Sequence, residues 1–155
     1  MTTLVKEFTA LVSILNERNV NYAVCGGWAM AILGAPRATM DIDVLVLSEN
    51  LEDVWQAAKD LGYAFEGLPM SFHNGAVEIR RISKIDSETK ILFTIDFLLV
   101  TSALQKVWET RQLREWEKGR IWVVSRDGLI KLKTISGRPQ DMFDIEKLKE
   151  LDDES

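Results

Sequence analysis

Three aspartates occupy settings that call for a chemical reason. Asp41 and Asp43 open the run DIDVLVL, which is β-branched and mostly apolar in the manner of a central strand with both faces covered. Side chains two apart on a strand share a face, so the two carboxylates project side by side while Ile42, Val44 and Val46 point the other way. Like charges that close repel each other and raise a pKa, and burying them unpartnered costs several kcal/mol. A cation is the expected partner, and Mg²⁺, which prefers oxygen ligands, suits two carboxylates. Asp96 lies in a second apolar run, KILFTIDFLLV, whose interior holds no basic residue. If that strand lies beside the first, Asp96 completes a three-carboxylate cluster of the kind that holds two metal ions about 3.5–4 Å apart. The alternative is a structural aspartate paired with an arginine. A calcium loop of the EF-hand type is excluded, because Val46 stands where its sixth-position glycine would be.

The elements that must position these acids can be read from spacing. Leu4, Phe8, Leu11, Val12 and Leu15 predict a first helix over 3–18. Tyr22 to Cys25 predicts a short strand closed by Gly26 and Gly27, after which WAMAIL reads as a helix stopped at Gly34 and Pro36. A glycine pair lets backbone approach a ligand, and a helix start offers N–H groups to an anion, so a phosphate would fit there; the alternative is an ordinary tight turn. After the strand 41–47, a helix runs from Ser48 or Asn50 to Leu61. Strands are expected at 63–65, 76–82 and 90–100, two of them as a hairpin, with LPMSFHNG and SKIDSE as loops. Residues 102–117 show helical spacing, which would put Trp108 and Trp116 on one helix face. A last strand at 120–124 precedes helices at 126–136 and 140–151. The order predicts an α/β (α+β) fold with a mixed central sheet flanked by helices, in one domain over 1–155.

Composition removes several function classes. Cys25 is the sole cysteine, which rules out disulfide stapling and a cysteine-built zinc site and fits a reducing compartment, the cytoplasm. No apolar stretch nears the roughly 20 residues of a membrane helix, so no membrane partner is expected. The net charge of −5 argues against a general nucleic-acid coat, yet residues 101–139 carry nine Lys or Arg against four acids, a local +5. That segment is either a set of solvated faces or a wall facing an anion. His73, the only histidine, lies in a polar loop and reads as a surface residue, and Cys25 reads as a small buried thiol.

The stretch CGGWAMAILGAPRATMDIDVLV resembles the signature of the DNA-polymerase-β-like nucleotidyltransferase superfamily: an apolar strand, Gly-Gly or Gly-Ser, then Asp-x-Asp in a second strand about a dozen residues on. Thirteen residues separate Gly27 from Asp41, and Asp96 matches the third acid. The form with Gly-Gly followed by Arg37, Thr39, Asp41, Ile42 and Asp43 is similar to the abortive-infection nucleotidyltransferase toxins and the small lincosamide nucleotidyltransferases. The ending KLKTISGRPQDMFDIEKL resembles theirs through Lys131, Lys133, Arg138, Asp141, Asp144 and Leu148, with Gln140 where many relatives carry Lys. The likeness spans roughly residues 20 to 150.

The resemblance implies a nucleotidyltransferase fold with Asp41, Asp43 and Asp96 as catalytic, metal-holding residues around two Mg²⁺ ions. It implies nucleotide contacts from Gly26, Gly27, Arg37, Thr39 and Lys133. Lys131 and Lys133, two apart in a helix, do not share a face, so at most one reaches phosphate. The expected reaction is attack of an acceptor hydroxyl on the α-phosphate of a nucleoside triphosphate, with pyrophosphate leaving and Asp96 as general base. The acceptor stays open among a small molecule, tRNA and a protein. The toxin relatives carry a further helical domain, so a partner subunit or a homo-oligomer is a further expectation. One alternative is a catalytically silent nucleotide- or partner-binding module. The other is the toxin of a toxin–antitoxin pair acting on tRNA, for which the +5 segment would form one surface near the acids.

Overall fold

A computed structural model describes residues 3–116 and 119–151. Its centre is an eight-stranded sheet. The strands are β1 (Ala23–Cys25), β2 (Asp41–Val46), β3 (Phe65–Glu66), β4 (Met70–Phe72), β5 (Val77–Ile85), β6 (Leu92–Leu99), β7 (Gln112–Trp116) and β8 (Gly119–Val123). They lie in the order β3-β5-β6-β2-β1-β8-β7, with β4 paired to β5. The sheet is mixed: β2 runs parallel to β6 and β1 parallel to β8, while the other pairs are antiparallel. Six helices flank it: α1 (Leu4–Glu17), α2 (Gly26–Leu33), α3 (Leu51–Asp60), α4 (Gln105–Glu109), α5 (Arg126–Ser136) and α6 (Pro139–Lys149).

The helix boundaries follow local chemistry. The Thr3 hydroxyl accepts the Lys6 N–H at the start of α1, and the Ser125 hydroxyl accepts the Gly128 N–H at the start of α5. Gly34 and Gly137 end α2 and α5 in the left-handed conformation, and Pro139 occupies the first turn of α6. Along β2, Ile42, Val44, Leu45 and Val46 are all buried, so both faces are covered beyond Asp43, whereas Asp41 and Asp43 are only partly so. The strand thus changes from a site into core within six residues.

Four expectations fail, one of them the loop SKIDSE, whose Ser83, Lys84 and Ile85 form the end of β5 and pair with Thr94, Phe93 and Leu92. The spacing at 102–117 yields a helix only as far as Glu109; Gln112–Trp116 is instead a strand against β8. The chain leaves the helix at Thr110, whose hydroxyl donates to the Lys106 carbonyl. Trp108 and Trp116 therefore share no helix face: Trp108 is buried on α4, and Trp116 meets the Phe8 ring edge-on at 5.5 Å. Glu117 and Lys118, which belonged to that helix and to the basic segment, lie outside the described residues. The loop LPMSFHNG contains a strand, β4, whose turn onto β5 uses positive φ at His73 and Asn74. The strand expected at 63–65 is shifted to Phe65–Glu66, and Tyr63 is buried with its hydroxyl donating to Glu7 at 2.8 Å.

Candidate active site

Strand pairing brings the predicted acids together. Asp43 lies opposite Asp96 in the parallel β2–β6 register, Asp41 opposite Thr94, and Cys25 opposite Asp43 on the antiparallel side. Neighbouring strands stand about 4.8 Å apart, so Asp41, Asp43 and Asp96 share one patch of sheet. The patch is the floor of a cleft of ≈ 680 Å³ whose walls include Gly26, Gly27, Arg37, Thr39, Lys133 and Arg138. Every residue expected to touch nucleotide therefore lines the same cavity as the acids.

The charges repel. Burial, then the charge of Asp96, then that of Asp41, push the Asp43 carboxyl up to about 7. Burial and Asp96 raise Asp41 as well. Cys25, at the same edge, is pushed well up by burial and by Asp43, which favours the neutral thiol.

Arg81, on β5, is the residue that the sequence reading missed. Its Nε and Nη2 donate to the two Asp96 oxygens at 2.7 and 2.9 Å, a bidentate fork. This is the arginine-paired aspartate of the alternative reading, with the arginine supplied by the neighbouring strand. The signal was the basic pair in VEIRRISKI: once β5 and β6 form a hairpin, Arg81 stands opposite Asp96. The fork bears on whether a divalent cation fits. Three carboxylates with one pushed up to about 7 are a donor set for a hard cation. As placed, however, no group of three or more such side chains among the described residues is arranged around a metal position. Asp41 and Asp43 are the residues that would hold a cation, and Asp96 would join them only once Arg81, 44% exposed in its side chain, released one of the Asp96 oxygens.

The two glycines have different work. Gly26 has a φ of +64°, and a Cβ there would meet Asp43 Oδ2 at 2.1 Å, so only glycine lets the start of α2 approach the carboxylate. At Gly27 a Cβ would lie 2.6 Å from the Cβ and Oγ1 of Thr39. Thr39 in turn donates its hydroxyl to the Asp41 carbonyl at 3.2 Å, so Gly27 and Thr39 seat the loop that delivers the acids.

Lys133 and Arg37 converge on α6. The buried Lys133 Nζ lies 2.9 Å from Asp144 Oδ2 and 3.7 Å from Asp141 Oδ1. Asp144 also accepts from Arg37 Nε at 3.0 Å and from Gln140 Nε2 at 3.0 Å. Arg138 donates through its backbone N–H, Nε and Nη2 to Asp141. Burial opposes ionisation of Asp141 and Asp144, yet hydrogen bonds from Arg138 to the first and from Lys133 to the second hold both below the usual carboxylate range. Lys131 is exposed on the other side of α5, as two-residue spacing required.

Solved structures confirm the class of fold. A candidate nucleotidyltransferase from Thermotoga maritima is similar at 17% identity and a TM-score of 0.61, over 92% of this chain and 90% of its own. ANT(2'')-Ia, solved in complex with adenylyl-2''-tobramycin, is similar at 18% identity and a TM-score of 0.60, over 95% of this chain and 87% of its own. JHP933 from Helicobacter pylori gives 14% and 0.56, over 93% of this chain and 63% of its own. A search of curated protein sequences gives no match. The mixed sheet with its flanking helices is a nucleotidyltransferase fold of the polymerase-β-like superfamily. Residues 7–128 match the profile of the aminoglycoside-2''-adenylyltransferase family, and the chain belongs to that family. Nucleotidyl transfer is the activity that membership supports.

Proposed function

We propose that the protein transfers a nucleoside monophosphate from a nucleoside triphosphate to a hydroxyl of a small-molecule acceptor, with two Mg²⁺ ions gathered by Asp41, Asp43 and Asp96. The observation that carries this reading is the β2–β6 register, which sets Asp43 beside Asp96 in a cleft that the start of α2 also enters. When bound, divalent cations would neutralise triphosphate charge and acidify the acceptor hydroxyl. The chain's own residues do the rest. The first N–H groups of α2 have no acceptor within the helix and face the phosphate side. Arg37, anchored on Asp144, stands at the rim where a triphosphate would lie. Lys133 gives the same wall positive potential from beneath while bracing α6.

Asp96 is the proposed base. As the acceptor oxygen attacks the α-phosphorus and the bond to pyrophosphate breaks, the hydroxyl proton passes to Asp96, after one of its hydrogen bonds from Arg81 opens. Fixed positioning and electrostatics supply most of the acceleration. The test is incubation of the protein with each α-labelled nucleoside triphosphate, Mg²⁺, and either total RNA or a small-molecule extract. Label in the small-molecule fraction supports the proposal. Label in RNA would favour the tRNA-directed alternative, and none in either, with no metal-dependent nucleotide binding, would leave Arg81–Asp96 a structural ion pair in a silent module.

A further inference from the structure

Beyond the acids the cleft continues along a wall of different character. Met70 and Phe72 of β4, Val77 and Ile79 of β5, and Leu98 of β6 line it, and Met40 flanks the opposite lip. Strand alternation explains the composition. Val77, Ile79 and Arg81 face the cleft, which turns Glu78 and Arg80 to the other side, where Glu78 accepts from the Ser71 hydroxyl. Phe72 and Met40 are 47% and 74% exposed, so apolar surface stands open to solvent beside the reacting centre.

The carboxylates that line the cleft stand in the acid patch and on α6. Asp41, Asp43 and Asp96 form the proposed cation site, and Asp141 is closed by Arg138 and Lys133. On the apolar wall itself the ionisable residues among those described are His73 and Arg81, both bases. A ligand carrying several ammonium groups would meet no carboxylate on that wall and would offer it little apolar surface, which disfavours its seating there.

Resting on the nucleotidyl-transfer reading, we propose that the acceptor is a neutral, hydroxyl-bearing small molecule with an apolar or aryl face, seated on the Met70–Phe72–Ile79–Leu98 wall, and not a polycationic aminosugar. The wall supplies contact area and excludes water, and the hydroxyl is presented towards Asp96. The step is the one already balanced: the acceptor oxygen gains the nucleoside monophosphate, pyrophosphate leaves, and the proton goes to Asp96.

A panel of neutral aryl and alkyl glycosides is compared with tobramycin, binding by calorimetry and transfer by the mass of the product. A nucleotide melting shift with and without Mg²⁺ is recorded separately, so that a failed nucleotide site is distinguished from a wrong acceptor class. Neutral members of the panel bind saturably and gain a nucleotide, whereas tobramycin does neither. Phe72→Ala weakens their binding about tenfold, the scale of losing much of one aromatic contact. Phe72→Asp, which places a free carboxylate on the wall, weakens them further and admits tobramycin. With the nucleotide shift intact, the proposal is overturned if tobramycin binds as tightly as the best neutral member, if no neutral member binds, or if Phe72→Ala changes nothing.

Discussion

At the scale of single residues the site is a problem in crowded charge, and Asp43 shows its sign. An unfolded aspartate titrates near 3.9, whereas the folded Asp43 carboxyl is pushed up to about 7. Between those values the folded chain holds a proton that the unfolded chain has lost. The metal-free protein therefore loses stability as pH rises through that window, and the contribution is fully present only below it. Asp43→Asn removes the titration and keeps the shape. In metal-free denaturant melts the variant is more stable than its parent at pH 8, by about 1–2 kcal/mol, with the difference vanishing towards pH 4. It loses nucleotidyl transfer and the Mg²⁺-dependent response to nucleotide. A variant that is less stable than the parent at pH 8 would make Asp43 a structural residue. Gly27 yields a second prediction. Gly27→Ala forces its Cβ onto Thr39 and costs about 1–3 kcal/mol, while Gly27→Ala with Thr39→Gly recovers more than the sum of the single effects allows. Chemical denaturation of the four proteins measures the coupling, and strict additivity would mean that the two residues do not share the space.

At the scale of elements, the α5–α6 clasp ties the rim of the cleft to the core. Lys133 is buried against Asp141 and Asp144, and Arg37 reaches from the loop before β2 to the same Asp144. Lys133→Met leaves two buried carboxylates short of a partner and is expected to destabilise by about 3 kcal/mol, read from urea melts. A loss below about 1 kcal/mol would show that Arg37, Gln140 and Arg138 satisfy both acids alone. Elements also show what the chain made legible. Asp41, Asp43 and Asp96 could be found because a charge inside an apolar run is anomalous whatever the fold. Arg81 could not, because its meaning is a cross-strand pairing, and register lies outside local periodicity. Trp108 and Trp116 misled for a related reason. Eight-residue spacing fits a helix face, but the helix stops at Glu109 and pairing with β8 decides the rest. β4 escaped notice because Met70–Phe72 is three residues long and gains its identity from β5.

At the scale of the whole molecule, strand order separates functions that the linear sequence had joined. Segment 101–139 carries a net +5, but Arg114 and Arg120 sit on the β7–β8 hairpin, at the far side of β1 from β6. Arg111 stacks 3.9 Å from the Trp108 ring, and Lys133 is buried in ion pairs. Among the described residues the segment is therefore divided between the β7–β8 hairpin, the Trp108 ring and the cleft wall. The parallel β2–β6 pair at the centre has the opposite effect, joining residues more than fifty positions apart into one acidic patch. The central claim, that this patch and the start of α2 form one metal-dependent triphosphate site, is tested most directly by the stability of the protein with each of the four ribonucleoside triphosphates, with and without Mg²⁺. At a hundredfold excess over Kd, at least one nucleotide with Mg²⁺ is expected to stabilise the protein by about 2.7 kcal/mol, and by little without the metal. Equal stabilisation without Mg²⁺, or none with any nucleotide at millimolar concentration, would contradict it.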